Sequence, residues 1–327
     1  MGGSGAPGNP EEAMTQIWRE EFTERALRSW AGLARQIGRA PEASHRVLSL
    51  RNEGGVQRVV LAFPTEGAVL KQTFGGFTTE ALARQAQAQD EAAEALAGDA
   101  NCYVPRVLWS APEMGVLVTE LAPGESASGL IESSAQSDEI DAVLRQAGVW
   151  LSCFHARFDA GEHPFNPTPV LRFIEQRMAD IRAGSVMIAE PEAFVDFSQE
   201  VLRLGAALAG KPTRRTRLHG DFNLRNVLIA QGQIAAIDFT PARISPAGFD
   251  VARLLLDYGA LFEPGAEGDQ RVAAFFDGYR FTPASDATVQ FQRRNQILAD
   301  WARIPADPGQ RKLLHDIRLQ RLMAMAQ

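Results

Sequence analysis

The sequence predicts an α+β protein in two parts, a small antiparallel sheet followed by a mostly helical region. Three observations predict it. Between His45 and Leu121, short apolar runs alternate with Gly- and Pro-containing turn chemistry, the mark of strands. From Asp138 onward, apolar residues recur at three- and four-residue intervals, the mark of helices. Between the two patterns lies Leu121-Ala122-Pro123-Gly124, a breaker and the most natural boundary. Residues 1–10 are therefore expected to form a disordered tail, 11–40 an N-terminal helix, 41–122 a sheet-rich first lobe and 123–327 a helical second lobe.

Composition narrows the function classes. The chain has 327 residues, with 45% hydrophobic and 22% charged, as in ordinary soluble domains. A net charge of −7 gives no overall basic field for nucleic acid or an anionic membrane. The two cysteines, Cys102 and Cys153, make no disulfide framework and fit a reducing, cytoplasmic setting. No apolar run reaches the length of a membrane span. Met1–Asn9 is Gly/Pro-rich and lacks the basic-then-apolar order of a secretory leader.

Taken in order, Glu11–Ile37 carries Met14, Ile17, Trp18, Phe22, Leu27, Trp30, Leu33 and Ile37 at helical spacing, and Gly38 and Pro41 stop it. Val47–Leu50, Val56–Phe63 and Ala68–Lys71 read as a three-stranded meander, with Lys71 at the end of its last strand. Gly54-Gly55 in its first turn lets backbone N–H groups approach an anion, although such a pair is also an ordinary hairpin turn. Thr79–Ala97 is an Ala/Gln/Glu-rich helix bearing Glu80, Asp90, Glu91 and Glu94. Val104–Trp109 and Val116–Leu121 complete five strands, with Pro105 placing the first of these at an edge or a strand start. Helices are then expected at Asp138–Phe158, Val170–Ala183 and Pro191–Ala209, with a Pro-rich loop from Gly161 to Pro169. Lys211–Arg217 reads as a basic connector, whose cations either steer an anion or are solvated. Past an irregular Thr240–Phe249, further helices are expected at Asp250–Phe262, Asp269–Tyr279, Thr288–Arg303 and Pro308–Met325.

The chemistry concentrates in Leu218–Phe239. Val227–Ala230 and Ile234–Ile237 read as paired strands, and Gly232 between them tolerates the positive φ of a tight turn. A hairpin there returns Asp238 towards Asp221 and Asn226. Two carboxylates and an amide oxygen are hard ligands, suited to Mg²⁺ rather than zinc. A carboxylate left free of the metal accepts a hydroxyl proton. His155 lies beside the apolar stripe of its helix and reads as a buried, hydrogen-bonded support; Cys153-Phe154-His155 makes a poor metal site.

His219-Gly220-Asp221, then Asn226, then a hydrophobic strand ending Ile237-Asp238, resembles the phosphotransferase family that includes aminoglycoside phosphotransferases, choline kinases and homoserine kinase-like proteins. The resemblance spans about Val47 to Leu256 and is sharpest from His219 to Asp238. It implies a two-lobed protein-kinase-like fold, with a nucleotide-binding first lobe and a catalytic, substrate-binding second lobe. It further implies ATP and Mg²⁺, and a small-molecule hydroxyl acceptor such as an aminoglycoside, amino alcohol, homoserine-like compound or sugar. In this reading Asp221 is the catalytic base, and Asn226 and Asp238 hold the metal. Lys71 pairs with the inner phosphates, with Glu91 or a neighbouring carboxylate such as Glu94 holding it. Gly54 and Gly55 cover the phosphates, and backbone groups at Glu120 and Ala122 meet the purine edge. His219 and Asp250, the latter in the family's Asp-x-Ala, are supporting residues. Asn223 stands where protein kinases have lysine, which argues against protein substrates. Arg225 takes a place often given to glycine, and Thr240 replaces the glycine that follows Asp-Phe in protein kinases. Two rivals remain: a nucleotide-binding protein without turnover, and a metal-dependent phosphoester hydrolase.

Overall fold

Helix α1 (Pro10–Leu33) runs into a single 3₁₀ turn, and Gly38, at φ 68°, ends both. The structure is a computed structural model that describes residues 10–53, 55–263, 266–307, 309 and 312–326, with the backbone alone for 10–17, 53 and 266–270. The expected tail therefore lies outside the described residues, except for Pro10, which opens α1. Two compact units emerge, one from the residues up to Ala93 with Val104–Ala122, the other from Glu94–Tyr103 with the chain from Pro123 onward.

The first unit is built on a five-stranded antiparallel sheet. Its strands are β1 (Arg46–Glu53), β2 (Val56–Phe63), β3 (Ala68–Phe74), β5 (Val107–Ala111) and β6 (Val116–Glu120), in the order β1-β2-β3-β6-β5. Short turns at Pro64–Gly67 and Pro112–Gly115 end in left-handed glycines, which explains the Pro-to-Gly spacing of the sequence there. Trp30 of α1 stacks on Phe63 with ring centroids 3.8 Å apart, and its Nε1–H donates to the Ala40 carbonyl at 3.0 Å. Ala26, Trp30 and Leu33 share one core with Val59, Leu61, Phe63, Leu70 and Val118, so α1 belongs with this sheet. Helix α2 (Thr79–Ala95) follows β3.

In the second unit, β4 (Cys102–Tyr103), β7 (Glu125–Ser126), β10 (Val227–Ala230) and β11 (Gln233–Ala236) form a four-stranded sheet of order β4-β11-β10-β7. A second sheet, in the order β12-β9-β8, contains β8 (Asp159–Pro164), β9 (Pro212–Arg217) and β12 (Ile244–Pro246). The helices are α3 (Ala127–Ser133), α4 (Ser137–Arg157), α5 (Thr168–Arg182), α6 (Pro191–Leu208), α7 (Gly248–Leu261), α8 (Ala266–Gly278), α9 (Ala287–Trp301) and α10 (Lys312–Ala326). A capping box between Gln136 and Glu139 starts α4. Phe194, Phe197, Val201, Phe291, Ile297, Trp301 and Leu322 pack α6, α9 and α10 into one core. No helix among the described residues is long and apolar enough to cross a membrane.

Several expected segments differ. The Pro-rich stretch after Gly161 begins as strand, since Glu162, His163 and Pro164 pair with Arg214, Thr213 and Pro212. The basic connector is the middle strand of that small sheet, and Ile244–Pro246 is its third. Three short, charged or Pro-containing strands carry no apolar alternation, so periodicity is blind to them. Arg214 binds Asp159 at 2.6 Å and lies over Phe281, Arg215 donates to the Ile244 carbonyl, and Arg217 lies over Phe158. Those cations are thus engaged in the sheet's own packing. Cys102–Tyr103 joins the second unit's sheet by parallel pairing with β11. Strand β3 continues past Lys71 to Phe74, because Gln72, Thr73 and Phe74 keep pairing with Val59, Arg58 and Gln57.

Candidate active site

The β10–β11 hairpin is closed by Gln231-Gly232 with Gly232 at φ 75°, and Ala230 pairs with Gln233. Beyond the ladder, the Ile237 N–H donates to the Asn226 carbonyl at 3.0 Å. This bond brings the chain entering Asp238 back to Asn226. Further links join the two segments: Leu218 N–H to the Arg243 carbonyl at 2.9 Å, and Thr240 N–H to the His219 carbonyl at 3.0 Å. Asp238 sits at φ 66°, one of two non-glycine residues with positive φ among those described. Such a conformation persists only where surrounding contacts impose it, and it recurs at functional sites.

Asp250 is the hub beneath this loop. Its side chain is wholly buried. Oδ2 accepts the His219 backbone N–H at 2.8 Å, and Oδ1 accepts that of Gly220 at 2.9 Å. His155 Nε2 lies 3.1 Å from Oδ2, and Tyr279 Oη lies 2.9 Å from His155 Nδ1. Burial alone would raise the Asp250 carboxyl, but the His155 hydrogen bond, the nearby imidazoles and the Gly220 N–H hold it below the usual range. Gly220 turns at φ 87°, and a Cβ there would collide with Thr240 Oγ1. The sharp turn after His219 therefore requires glycine.

His219 is buried among Trp150, Phe222 and Phe239. Its Nε2–H donates to the Ile237 carbonyl at 3.0 Å, and its Nδ1 faces the Asp221 N–H at 3.4 Å. Burial pulls its pKa down to about 4, overcoming the carboxylates of Asp250 and Asp221, so the ring is neutral at pH 7. This histidine joins the turn to the strand leading to Asp238.

Asp221 projects from the locked loop with its side chain 43% exposed. Asn226 Nδ2 donates to the Asp221 carbonyl at 2.9 Å and to Oδ2 at 3.3 Å. These bonds occupy the amide nitrogen, so Oδ1 is the atom Asn226 would offer to a cation. With the carboxylate of Asp238, Oδ1 gives an all-oxygen donor set that fits Mg²⁺ and would serve zinc poorly. Sequence reasoning missed two partners. Arg253 Nε reaches Asp221 Oδ1 at 3.3 Å, and Asp257 Oδ2 accepts the Leu224 N–H at 3.1 Å. Burial raises the Asp257 carboxyl above its ordinary range, against that hydrogen bond and the nearby arginines. A signal existed: Asp250, Arg253 and Asp257 follow one another at three- and four-residue spacing on α7, and therefore share a face.

In the first unit, Lys71 pairs with Val60 and Leu117 in the middle of the sheet. Burial, with some repulsion from Arg58, lowers its pKa to about 8. Glu91 is on α2, where Gln87 Nε2 donates to its Oε1 at 2.7 Å. Gly54 lies outside the described residues, and Gly55 has φ 80°. Glu120 ends β6 with Oε2 accepting the Arg106 N–H at 3.0 Å, and Ala122 is buried.

A strand-rich unit, a helical unit and a loop of this construction define a protein-kinase-like phosphotransferase fold. The chain belongs to the phosphotransferase enzyme family, whose profile matches residues 44–287. Among solved structures, a choline/ethanolamine kinase family protein from Mesorhizobium loti is similar at 17% identity, covering 93% of this chain and 94% of that one with a TM-score of 0.58. A glucosamine kinase in complex with glucosamine, ADP and inorganic phosphate is similar at 20% identity, with 88% and 76% covered and a TM-score of 0.54. A thermostable mutant of an aminoglycoside phosphotransferase, in ternary complex with ADP and hygromycin B, is similar at 16% identity, with 91% and 97% covered and a TM-score of 0.58. At these identities the likeness is one of fold. No curated protein matches the chain in sequence.

Proposed function

We propose that this chain is an ATP-dependent phosphotransferase that moves the γ-phosphate to a hydroxyl of a small molecule. The observation that carries the reading is the Asp221 loop. It presents a half-exposed carboxylate on a backbone held by the buried Asp250, His219 and Asp257. In the reaction, the acceptor oxygen attacks the γ-phosphorus and the bond to the bridging oxygen breaks, releasing ADP. The hydroxyl proton passes to Asp221. Bound at Asn226 and Asp238, Mg²⁺ supplies the positive charge that offsets the phosphates. Lys71, with Glu91 as its candidate partner, is assigned to the inner phosphates. Gly54 and Gly55 are assigned to the loop over the phosphates, and the backbone at Glu120 and Ala122 to the purine.

The acceptor class stays at small hydroxyl compounds. Among the acidic residues past Gly124, which would suit a cationic amine if free, Asp141 binds Arg271 at 2.8 Å, Asp159 binds Arg214, and Glu139 caps α4. Asp141 and Asp159 are thus paired within the fold. The test is ATP consumption with Mg²⁺ and a pool of amino alcohols, sugars and aminoglycosides, preceded by a thermal-shift screen of the same compounds. Acceptor-dependent ADP release supports the reading. Nucleotide binding with no turnover on any acceptor points to the inactive rival.

A further inference from the structure

The chain's two cysteines meet in the second unit. Cys102 opens β4 and is buried; Cys153, partly buried, lies in the penultimate turn of α4. Asp99, in the loop before β4, completes a triad whose ligand atoms all lie within 4.8 Å of one another. Asp99 is held in place by its own backbone. Oδ1 accepts the N–H groups of Asn101 at 3.1 Å and Cys102 at 3.0 Å. That leaves Oδ2 facing Cys153, whose Sγ–H donates to it at 3.1 Å. One carboxylate oxygen is fixed by donors while the other faces the thiols, which is how a monodentate metal ligand is oriented by its outer partners.

We propose that Asp99, Cys102 and Cys153 form a site for a thiophilic divalent cation, Zn²⁺, bound by two thiolates, one carboxylate oxygen and a water. In a tetrahedral site with metal–sulfur bonds of about 2.3 Å, neighbouring ligand atoms lie roughly 3.5–4 Å apart, within reach of the present spacing. Cys102 and Cys153 are themselves within hydrogen-bonding reach of each other, so the two thiols and the carboxylate form one connected cluster. The partial exposure of Asp99 and Cys153 gives an entry path and a place for the water. Binding releases two protons to solvent and leaves two thiolates on the metal, so affinity rises with pH. The site would tie α4 to β4, and β4 pairs through Cys102 with Ile234 of the hairpin leading to Asp238.

The experiment uses the full chain, reduced with a non-thiol reductant, stripped by a chelator and held in excess Mg²⁺ so that the oxygen site is filled. Zn²⁺ is measured by elemental analysis after desalting, and Co²⁺ by its thiolate charge-transfer absorption. One Zn²⁺ per chain and a thiolate–cobalt band are expected, with affinity at least about tenfold weaker in both Cys153→Ser and Asp99→Asn. Thermal melts of each variant establish that it folds, and Cys153→Ala serves if the serine does not. Absence of bound metal with both thiols titratable overturns the proposal. So does a Cys102–Cys153 disulfide lacking metal, or binding unchanged in folded Cys153 variants.

Discussion

Asp221 and Lys71 are both proposed to act in phosphoryl transfer, and the fold holds them by opposite means. Lys71 is carried by a strand whose neighbours on both sides fix it through the ladder. Its backbone is fixed by that pairing, and burial desolvates the ammonium, seen in its lowered pKa. Asp221 stands on a loop that no ladder supports. Its backbone is bonded instead by side chains: Asp250 on His219 and Gly220, Asp257 on Leu224, and His219 on the strand beyond the hairpin. A loop can carry a reactive group with accuracy only if buried polar groups replace the missing ladder.

The comparison fails first if the scaffold under Asp221 is dispensable. Asp250→Ala strands the buried His219 N–H and the part-buried Gly220 N–H and removes the buried carboxylate facing His155. Breaking such a buried arrangement costs about 3–5 kcal/mol. Urea unfolding should show that loss, and turnover should vanish with it. A variant as stable as the parent would show that the loop is held by other means. Asp221→Asn separates the reactive group from its scaffold. It should lower turnover by about 10²–10⁴-fold while moving stability by no more than about 0.5 kcal/mol. Steady-state kinetics beside a melting curve decides this; undiminished turnover would remove Asp221 as the base.

The same contrast explains what could be read from the chain. A loop stabilised by side chains leaves a motif, so His219, Asp221, Asn226, Asp238 and Asp250 stand out by type and order. A strand-borne lysine leaves only an apolar run, so Lys71 was legible through the resemblance and its strand end was misplaced. Arg253 and Asp257 went unread because a charged residue every three or four positions on a helix is also what a solvated face looks like. Only packing tells the two apart, and α7 is buried along nearly its whole length. Strands β8, β9 and β12 were illegible because their pairing is non-local and their composition polar.

The acid limb of stability sharpens the loop side of the comparison. Unfolded, His219 titrates near 6.5; folded, it titrates at about 4. Between these values the unfolded chain binds more protons, so its contribution is whole above pH 6.5 and is lost as pH falls towards 4. From pH 7 to pH 5 that loss is about 2 kcal/mol at one unit per ~1.4 kcal/mol. His219→Gln, which keeps an N–H for the Ile237 carbonyl, should flatten this slope. Urea midpoints at the two pH values measure it, and an equal slope in both proteins would remove His219 as the source.

Lys71 tests the strand side, where the effect is smallest and removing the charged group should stabilise rather than destabilise. Unfolded it titrates near 10.5, folded at about 8, so the unfolded chain binds more protons between those values. Stability linked to this group is complete above pH 10.5 and lost as pH falls through 8, which leaves the full penalty of a buried charge at pH 7. Lys71→Met keeps the length of the side chain and removes the charge. It should therefore stabilise the protein at pH 7 by about 1–2 kcal/mol, solvent at the amine reducing the ~3 kcal/mol that the full shift would imply. The thermal shift given by Mg-ADP in the parent should shrink in the variant. A variant that loses stability would mean that the ammonium's partners repay its desolvation, and the strand would then rest on a polar scaffold as the loop does.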